Sequence, residues 1–437
     1  MSISAPDHKI GVVTATSMVI SNMIGTGIFT SLGFQLMGIH SASAIAGLWI
    51  VGGISALCGA LCYGELAARF PRSGGEYNFL SRIYDPALGF LSGYISATIG
   101  FAVPIAISAI AFNKYLQTFT STSFGSWLPI LLIIIIVAIN LRGIKVGGYL
   151  QKIITILTII LVLGLIISGS VLGGGNHFHF TFNQSDWSAI FSSPFAVSLV
   201  YVAYAYTGWN SAAYIAGEIK NPAKNLPIAL IAGTSIVTVL YVLLNIVFLY
   251  ISPMESLAGQ LEIGFITAKA IFGEVGADIV SVVICIALVG SIFSMTITGP
   301  RVSQTVGEDF PFFKILSKKN GQGAPYIGLI VQAIITIALI ITNAFESIML
   351  YIGFTLSLIT SLTILGLFVV RITNKKEHTG YKTIGYPITP AIFLLAEGWM
   401  VVFTFKERPY ESLIGLSTVL SGFILYYLAK KLHPHHV

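Results

Sequence analysis

Apolar positions follow one another along this chain in long continuous blocks. They show neither the strict alternation of a half-buried strand nor the single stripe of a surface helix. Twelve blocks stand out, at 10–37, 41–69, 86–116, 126–143, 147–171, 188–219, 226–252, 274–300, 325–343, 346–371, 385–406 and 410–431. Each is long enough to cross about 30 Å of hydrocarbon as a helix. The pattern predicts an all-α polytopic membrane protein with twelve transmembrane helices. The polar intervals are too short to fold separately, so residues 1–437 are read as one membrane domain. The first block is too long for a signal-peptide core and has no small-residue cleavage site, so it is read as a retained span.

Two blocks are interrupted near their midpoints. The first contains "SNMIGTGIFT" (21–30), with Gly25, Thr26 and Gly27 at its centre, and the sixth contains Thr207-Gly208 within "YVAYAYTGWNSAAY". Backbone groups left unpaired in hydrocarbon are costly, so irregular backbone at that depth must line a cavity or be covered by protein. The interruptions lie five spans apart, so their helices cross the membrane in opposite directions. Paired breaks in corresponding spans point to inverted repeats with a ligand site at the midplane.

Helix ends then suggest the chemistry. The outer half of the first span begins at its break and offers the free N–H groups of Thr26, Gly27 and Ile28 to a carboxylate. The outer half of the sixth span ends at its break, and its carbonyls from Tyr204 to Thr207, with those near Met23, can accept from an ammonium. Donors facing acceptors match an α-amino acid. No Asp, Glu, Lys or Arg lies near either break, so the side-chain pocket is expected to offer no full charge, which favours a neutral substrate over a cationic or anionic one. The competing reading is that these small residues only allow close helix packing.

Composition agrees with a membrane protein. Hydrophobic residues make up 55% of the chain and charged ones 9%, far below the roughly 25% of soluble domains. With a cytoplasmic N-terminus, 19 of the 23 Lys and Arg fall on the inner side, leaving Lys114, Lys269, Lys406 and Arg408 outside. The positive-inside rule therefore places both termini in the cytoplasm. The net charge of +6 sits in short loops facing anionic lipid and needs no nucleic acid. Cys58, Cys62 and Cys285 lie in apolar blocks and show neither disulfide nor zinc spacing. Gly25-Thr26-Gly27 lacks the third glycine and the preceding strand of a dinucleotide site, and no cofactor is expected.

"NMIGTGIF", "GALCYGELAARFPRSGGEYNFL" (59–80) and "AYTGWNSAAYIAGEIKNPAKNLPIAL" (205–230) together resemble the amino acid–polyamine–organocation superfamily, and within it the L-type amino acid transporters. The resemblance implies a LeuT-like fold of five plus five inverted helices, discontinuous in helices 1 and 6. The first repeat would span 10–171 and the second 188–371, with two further C-terminal helices at 385–431. It also implies a carboxylate site at Gly25, Thr26 and Gly27, amine-binding carbonyls at Met23, Tyr204 and Thr207, and a closing aromatic at Tyr204. Trp209 and Asn210 would shape the pocket. Many bacterial relatives carry a lysine in helix 5 where this chain has Thr158, which argues against proton coupling through that ammonium and leaves ion-independent exchange, the favoured reading, facilitated diffusion, or a sodium site formed with Ser291 or Ser294; a proton- or sodium-coupled symporter is the alternative. No disulfide-linked ancillary subunit is expected, because no cysteine lies near helices 3 and 4.

Other polar residues have plainer readings. Glu65 with Arg69 and Arg72 is read as an interfacial ion pair, and Glu218 and Lys220 as inner anchors, with Asn221-Pro222 and Pro227 separating two helices. His177, His179, His433, His435 and His436 are read as solvated loop and tail residues. Pro104 predicts a packed kink. Tyr201, Met295 and Tyr351 are candidates for either the side-chain pocket or the core. The leading function is a plasma- or inner-membrane secondary transporter exchanging small neutral L-amino acids by alternating access. The same fold could carry polyamines if an acid lined the pocket. A channel would need a ring of like groups, and an enzyme a nucleophile with its base, and neither is visible.

Overall fold

The computed structural model describes residues 10–432 apart from 121, 123, 143, 173–183, 343 and 374–379. Lys9 and the five histidines at 177, 179, 433, 435 and 436 lie outside the described residues. The architecture is helical, with many apolar helices, as a polytopic membrane protein requires. Among the described residues nine helical stretches are long and apolar enough to cross a membrane, and Trp127–Leu141 and Tyr326–Thr342 are shorter apolar helices.

The first apolar block is two helices, α1 (Val12–Met23) and α2 (Thr26–Gln35), separated at Ile24-Gly25. Helix α3 (Ala42–Arg69) follows, with Ser41 capping its first turn by accepting from the Ala44 amide. A short α4 (Glu76–Ile83) leads to α5 (Pro86–Ile95), started by Asp85 and Pro86. A π-helical turn, Ser96–Gly100, joins α5 to α6 (Ala102–Thr120). Pro104 has no amide to give to the carbonyl of Gly100, so the expected irregularity falls in the turn just before it.

Helices α7 (Trp127–Asn140), α8 (Ile144–Leu172) and the short α9 (Gln184–Ile190) precede α10 (Ser193–Tyr206). The predicted sixth block then breaks and continues as a 3-10 segment, Ser211–Glu218. Helix α11 (Pro222–Ile251) starts at Pro222 after a left-handed Asn221, so Pro227 lies inside it and does not start it. A proline at the first helical position lacks only an amide that the helix leaves unpaired there, whereas Pro227 removes one internal bond. After α12 (Met254–Leu257), α13 (Ile263–Asp309) outruns its predicted block at both ends and bends at Gly273. The remaining helices are α14 (Tyr326–Thr342), α15 (Phe345–Thr373), α16 (Ile388–Glu407) and α17 (Pro409–Leu432).

The outer faces are apolar as well as the core. On α8, Ile156, Ile160 and Ile167 stand exposed along one side, while Val162 and Leu165 are buried on the other. Such helices suit a hydrocarbon solvent.

The two interrupted segments run antiparallel and in register. Ile10 pairs with Ile219 in a short parallel bridge, Asn22 meets Gly208, Gly27 meets Ala205, and Phe34 stacks on Tyr201 at 5.6 Å. Residue numbers rise along one segment as they fall along the other, so the breaks lie at matched depth. The two ends of this pair define the faces of the molecule, the Ile10 face and the Phe34 face.

Candidate functional site

Both breaks leave backbone groups free of helical partners. At the N-terminus of α2, Gly25 makes no side-chain cap, and the amides of Thr26, Gly27 and Ile28 have no preceding helical turn to accept them. At the second break Thr207 turns extended, and its amide and hydroxyl both donate to the Tyr204 carbonyl, at 3.0 and 2.6 Å. Gly208 follows with φ +98, and a Cβ there would lie 2.7 Å from the Asn22 backbone, so only glycine lets the breaks meet.

The sequence-predicted residues divide into groups. Gly27 packs on the Ala205 backbone, which is the close-packing role for a small residue, and Gly25 approaches Ser291. The Thr26 hydroxyl pairs with Ser108 at 2.6 Å and also meets the Tyr204 hydroxyl. The Met23 carbonyl accepts from Tyr241 at 2.5 Å. Ser294 accepts from Asn22 at 2.9 Å, whereas the buried Ser291 hydroxyl has no partner. Thr158 donates to the Ile154 carbonyl one turn earlier, and Ile154 packs where a side chain on Gly290 would be.

A cavity opens beside the second break, lined by Asn22, Thr207, Gly208, Trp209, Asn210 and Met295 among others. Its volume is about 90 Å³, enough for several waters. Gly25, Thr26, Gly27 and Tyr204 lie outside its lining. Tyr201 is not there either: its hydroxyl binds Glu346 at 2.7 Å near the Phe34 face. Nor is Tyr351, which bonds to Thr418 between α15 and α17.

One expectation is overturned. The cavity is lined by two acidic side chains, Glu76 and Glu397. Both are distant from the breaks in sequence and reach them through the fold. Gly74 and Gly75 have positive φ, the Gly74 amide donates to the Tyr214 carbonyl at 3.1 Å, and a Cβ on Gly75 would strike the Tyr214 ring. This turn presses the start of α4 against the second break. Glu76 Oε1 then accepts from Tyr63 at 2.9 Å and from Asn210 at 2.5 Å. Glu76 was legible only as the acid in "SGGEY"; Glu397 had no signal beyond being an acid inside an apolar block.

Ion pairs gather at the Ile10 face. Glu65 is buried and bound by Arg69, Arg371 and the Thr383 amide, while Arg72 pairs with Asp309 and not with Glu65. The hydrogen bond to Asp309 holds the Arg72 guanidinium above its ordinary value. Glu218 pairs with Arg301 at 3.0 Å, and backbone bonds tie Glu218 and Lys220 to Ile10. On the Phe34 face, Phe34 lies between Tyr201 and Phe345, next to the Glu346–Arg408 pair.

The sequence profile described as Amino acid permease matches residues 10–428. The chain belongs to the amino acid permease family. Similar proteins include the b(0,+)-type amino acid transporter 1 of Mus musculus, 30% identical over 96% of this chain and 87% of its own length. The Serine/threonine exchanger SteT of Bacillus subtilis is 28% identical over 97% of each chain. The Large neutral amino acids transporter small subunit 2 of Homo sapiens is 27% identical over 96% of this chain and 80% of its own.

These relatives are amino acid transporters and exchangers, and the family consists of transporters, not enzymes. As a permease the chain is a multi-pass membrane protein. Its cysteines, Cys58, Cys62 and Cys285, are all buried and unpaired. In this permease the Glu76–Asn210 bond links the loop after α3 to the second break, a connection that no local motif announces.

Proposed function

We propose that this permease is a secondary carrier that exchanges L-amino acids, small neutral ones among them, by alternating access. The reading rests on one observation: two antiparallel helices broken at the same depth, with the amides of Thr26 to Ile28 opposite the end of α10. The substrate carboxylate is assigned to Gly25, Thr26 and Gly27, and its ammonium to the carbonyls of Met23, Tyr204 and Thr207, with Tyr241 as a competing donor to Met23. Tyr204 serves as the closing aromatic, and Trp209 and Asn210 shape the pocket wall. The topology proposed is twelve spans with an inverted five-plus-five repeat at 10–171 and 188–371, the helices at 385–431 lying outside it. The Ile10 face is cytoplasmic in this scheme.

Thr158 and the hydroxyls of Ser291 and Ser294 offer no ammonium, which favours exchange over proton coupling. Proteoliposomes preloaded with unlabelled alanine, serine or leucine should take up labelled amino acid faster than empty ones. Equal rates across a broad amino-acid panel would exclude exchange. An amine cargo is the second reading, favoured by the two acids in the cavity.

A further inference from the structure

Not every recess in this fold faces the breaks. A groove of about 560 Å³ opens on the outside of α11 near the Ile10 face, lined by Ala223, Lys224, Pro227, Ile228 and Ala232, with Tyr381 as its far wall. Tyr381 belongs to the segment that leads into α16, and that segment is pinned to α3. The Thr383 amide donates to the buried Glu65 at 2.7 Å, and the Thr383 hydroxyl donates to the Leu61 carbonyl at 3.4 Å. Gly64 lets both walls close on α3, since a Cβ there would lie 3.0 Å from the Tyr381 ring and 3.3 Å from Pro227.

The two ends of the groove differ in chemistry. Ile228, Ile231 and Ala232 lead along α11 towards Ile236, Val239 and Leu243, which are exposed. An apolar stripe of this kind has hydrocarbon for a neighbour. At the mouth the groove is basic: Lys224 is exposed on the lining, Lys220 lies one turn before it in the chain, and Lys382 follows Tyr381. None of the three lysines makes an ion pair among the described residues, and the lining contains no acid. The acids nearest in the chain are engaged elsewhere, Glu65 by Arg69 and Arg371 and Glu218 by Arg301. A lysine in the first turn of a helix also faces the positive end of the helix dipole, so α11 itself gives Lys224 no compensation. Pro227 has no amide to give to the Ala223 carbonyl, which leaves an acceptor on the same lining.

We propose that this groove binds an anionic phospholipid from the leaflet on the Ile10 side, with its phosphate at Lys224 and Lys382, a headgroup hydroxyl on the Ala223 carbonyl and one acyl chain along Ile228, Ile231 and Ala232. Unpaired cations at the head of an apolar track match a molecule with negative charge at one end and hydrocarbon at the other. A zwitterionic lipid brings its own cation to the lysines, and free phosphate has nothing to lay along the isoleucines. The bound lipid joins α11 to the segment ahead of α16, so it stabilises the folded protein.

Thermal unfolding of the purified full-length protein in detergent, titrated with three probes, tests this. Dioleoyl phosphatidylglycerol carries the charge, the hydroxyls and the chains. Dioleoyl phosphatidylcholine has the same chains with a quaternary ammonium, and glycerol phosphate is the headgroup without chains. Phosphatidylglycerol should raise the melting temperature at mole fractions about tenfold or more below phosphatidylcholine, while glycerol phosphate should leave it unchanged. Lys224→Gln and Lys382→Gln, both at exposed positions, should each weaken the phosphatidylglycerol effect about fivefold. Lys314→Gln removes the same charge from the exposed turn after α13 and should keep the full effect.

Equal action of the two lipids on the unaltered protein, which needs no variant to fold, would overturn the site. Losses of equal size from Lys314→Gln and Lys224→Gln would overturn it as well, because they would mark a diffuse surface field in place of a groove. Glycerol phosphate acting as strongly as phosphatidylglycerol would replace the lipid by a free phosphate and end the proposal.

Discussion

Asn210 donates to Glu76 across 2.5 Å, joining the residue that follows the second helix break to the first residue of α4. The bond fixes the loop after α3 against the part of the fold where α10 stops. Asn210→Ala should therefore reduce initial uptake rates by tenfold or so, the loss of a hydrogen bond to a charged group. Asn210→Asp sets like charges together and should be worse than alanine. Side-by-side initial rates, normalised to reconstituted protein, give the order, and an aspartate variant as active as the parent would exclude the link.

Glycines at the breaks are tied to backbone contact. Gly208→Ala places a Cβ 2.7 Å from Asn22 at φ +98, and Gly27→Ala places one 2.4 Å from the Ala205 Cα. Each should destabilise the protein by about 1–3 kcal/mol. Gly164→Ala and Gly398→Ala meet nothing within 4 Å and should be neutral or slightly stabilising. Thermal unfolding in detergent of the four variants checks the contrast.

Glu65 gathers two guanidiniums and the Thr383 amide while fully buried. Glu65→Gln leaves Arg69 and Arg371 without their counter-charge, and it should cost about 3–5 kcal/mol. Arg72→Ala breaks a pair that is 42% and 30% exposed and should cost about 1 kcal/mol or less. Comparable losses from the two substitutions would contradict the difference in burial.

The cluster of Phe34, Tyr201, Phe345, Glu346 and Arg408 covers the end of α2. Loosening it by Phe34→Ala or Glu346→Gln should open a path from that face. A single cysteine at Ser198, on the groove beside the cluster, should then react faster with a membrane-impermeant maleimide than in the parent. Unchanged labelling would mean that this cluster does not close the face.

Helix existence was legible because hydrocarbon demands long apolar stretches, and the blocks at 41–69 and 346–371 fall within two residues of α3 and α15. Ends were less legible where special backbone decides: α13 passes through Gly273 and runs on to Asp309. Of the candidate site, the breaks were readable from Gly25, Gly27 and Gly208, since glycine at mid-span has few other uses. Tyr201 and Tyr351, left open between pocket and core, lie outside the cavity while Met295 lines it, and a tyrosine in an apolar helix gives no sign in sequence of which neighbour it faces.

The order of apolar and polar residues was enough by itself to make this a multi-pass helical membrane protein with two interrupted spans, because a bilayer leaves the backbone almost no alternative to helix. Tertiary structure alone decided which acids come to the cavity. Glu76 and Asn210 are far apart in the chain, and Glu397 is farther still. Their approach depends on the left-handed turn at Gly74-Gly75 and on how α3, α15 and α16 pack, and neither is written in local hydrophobicity.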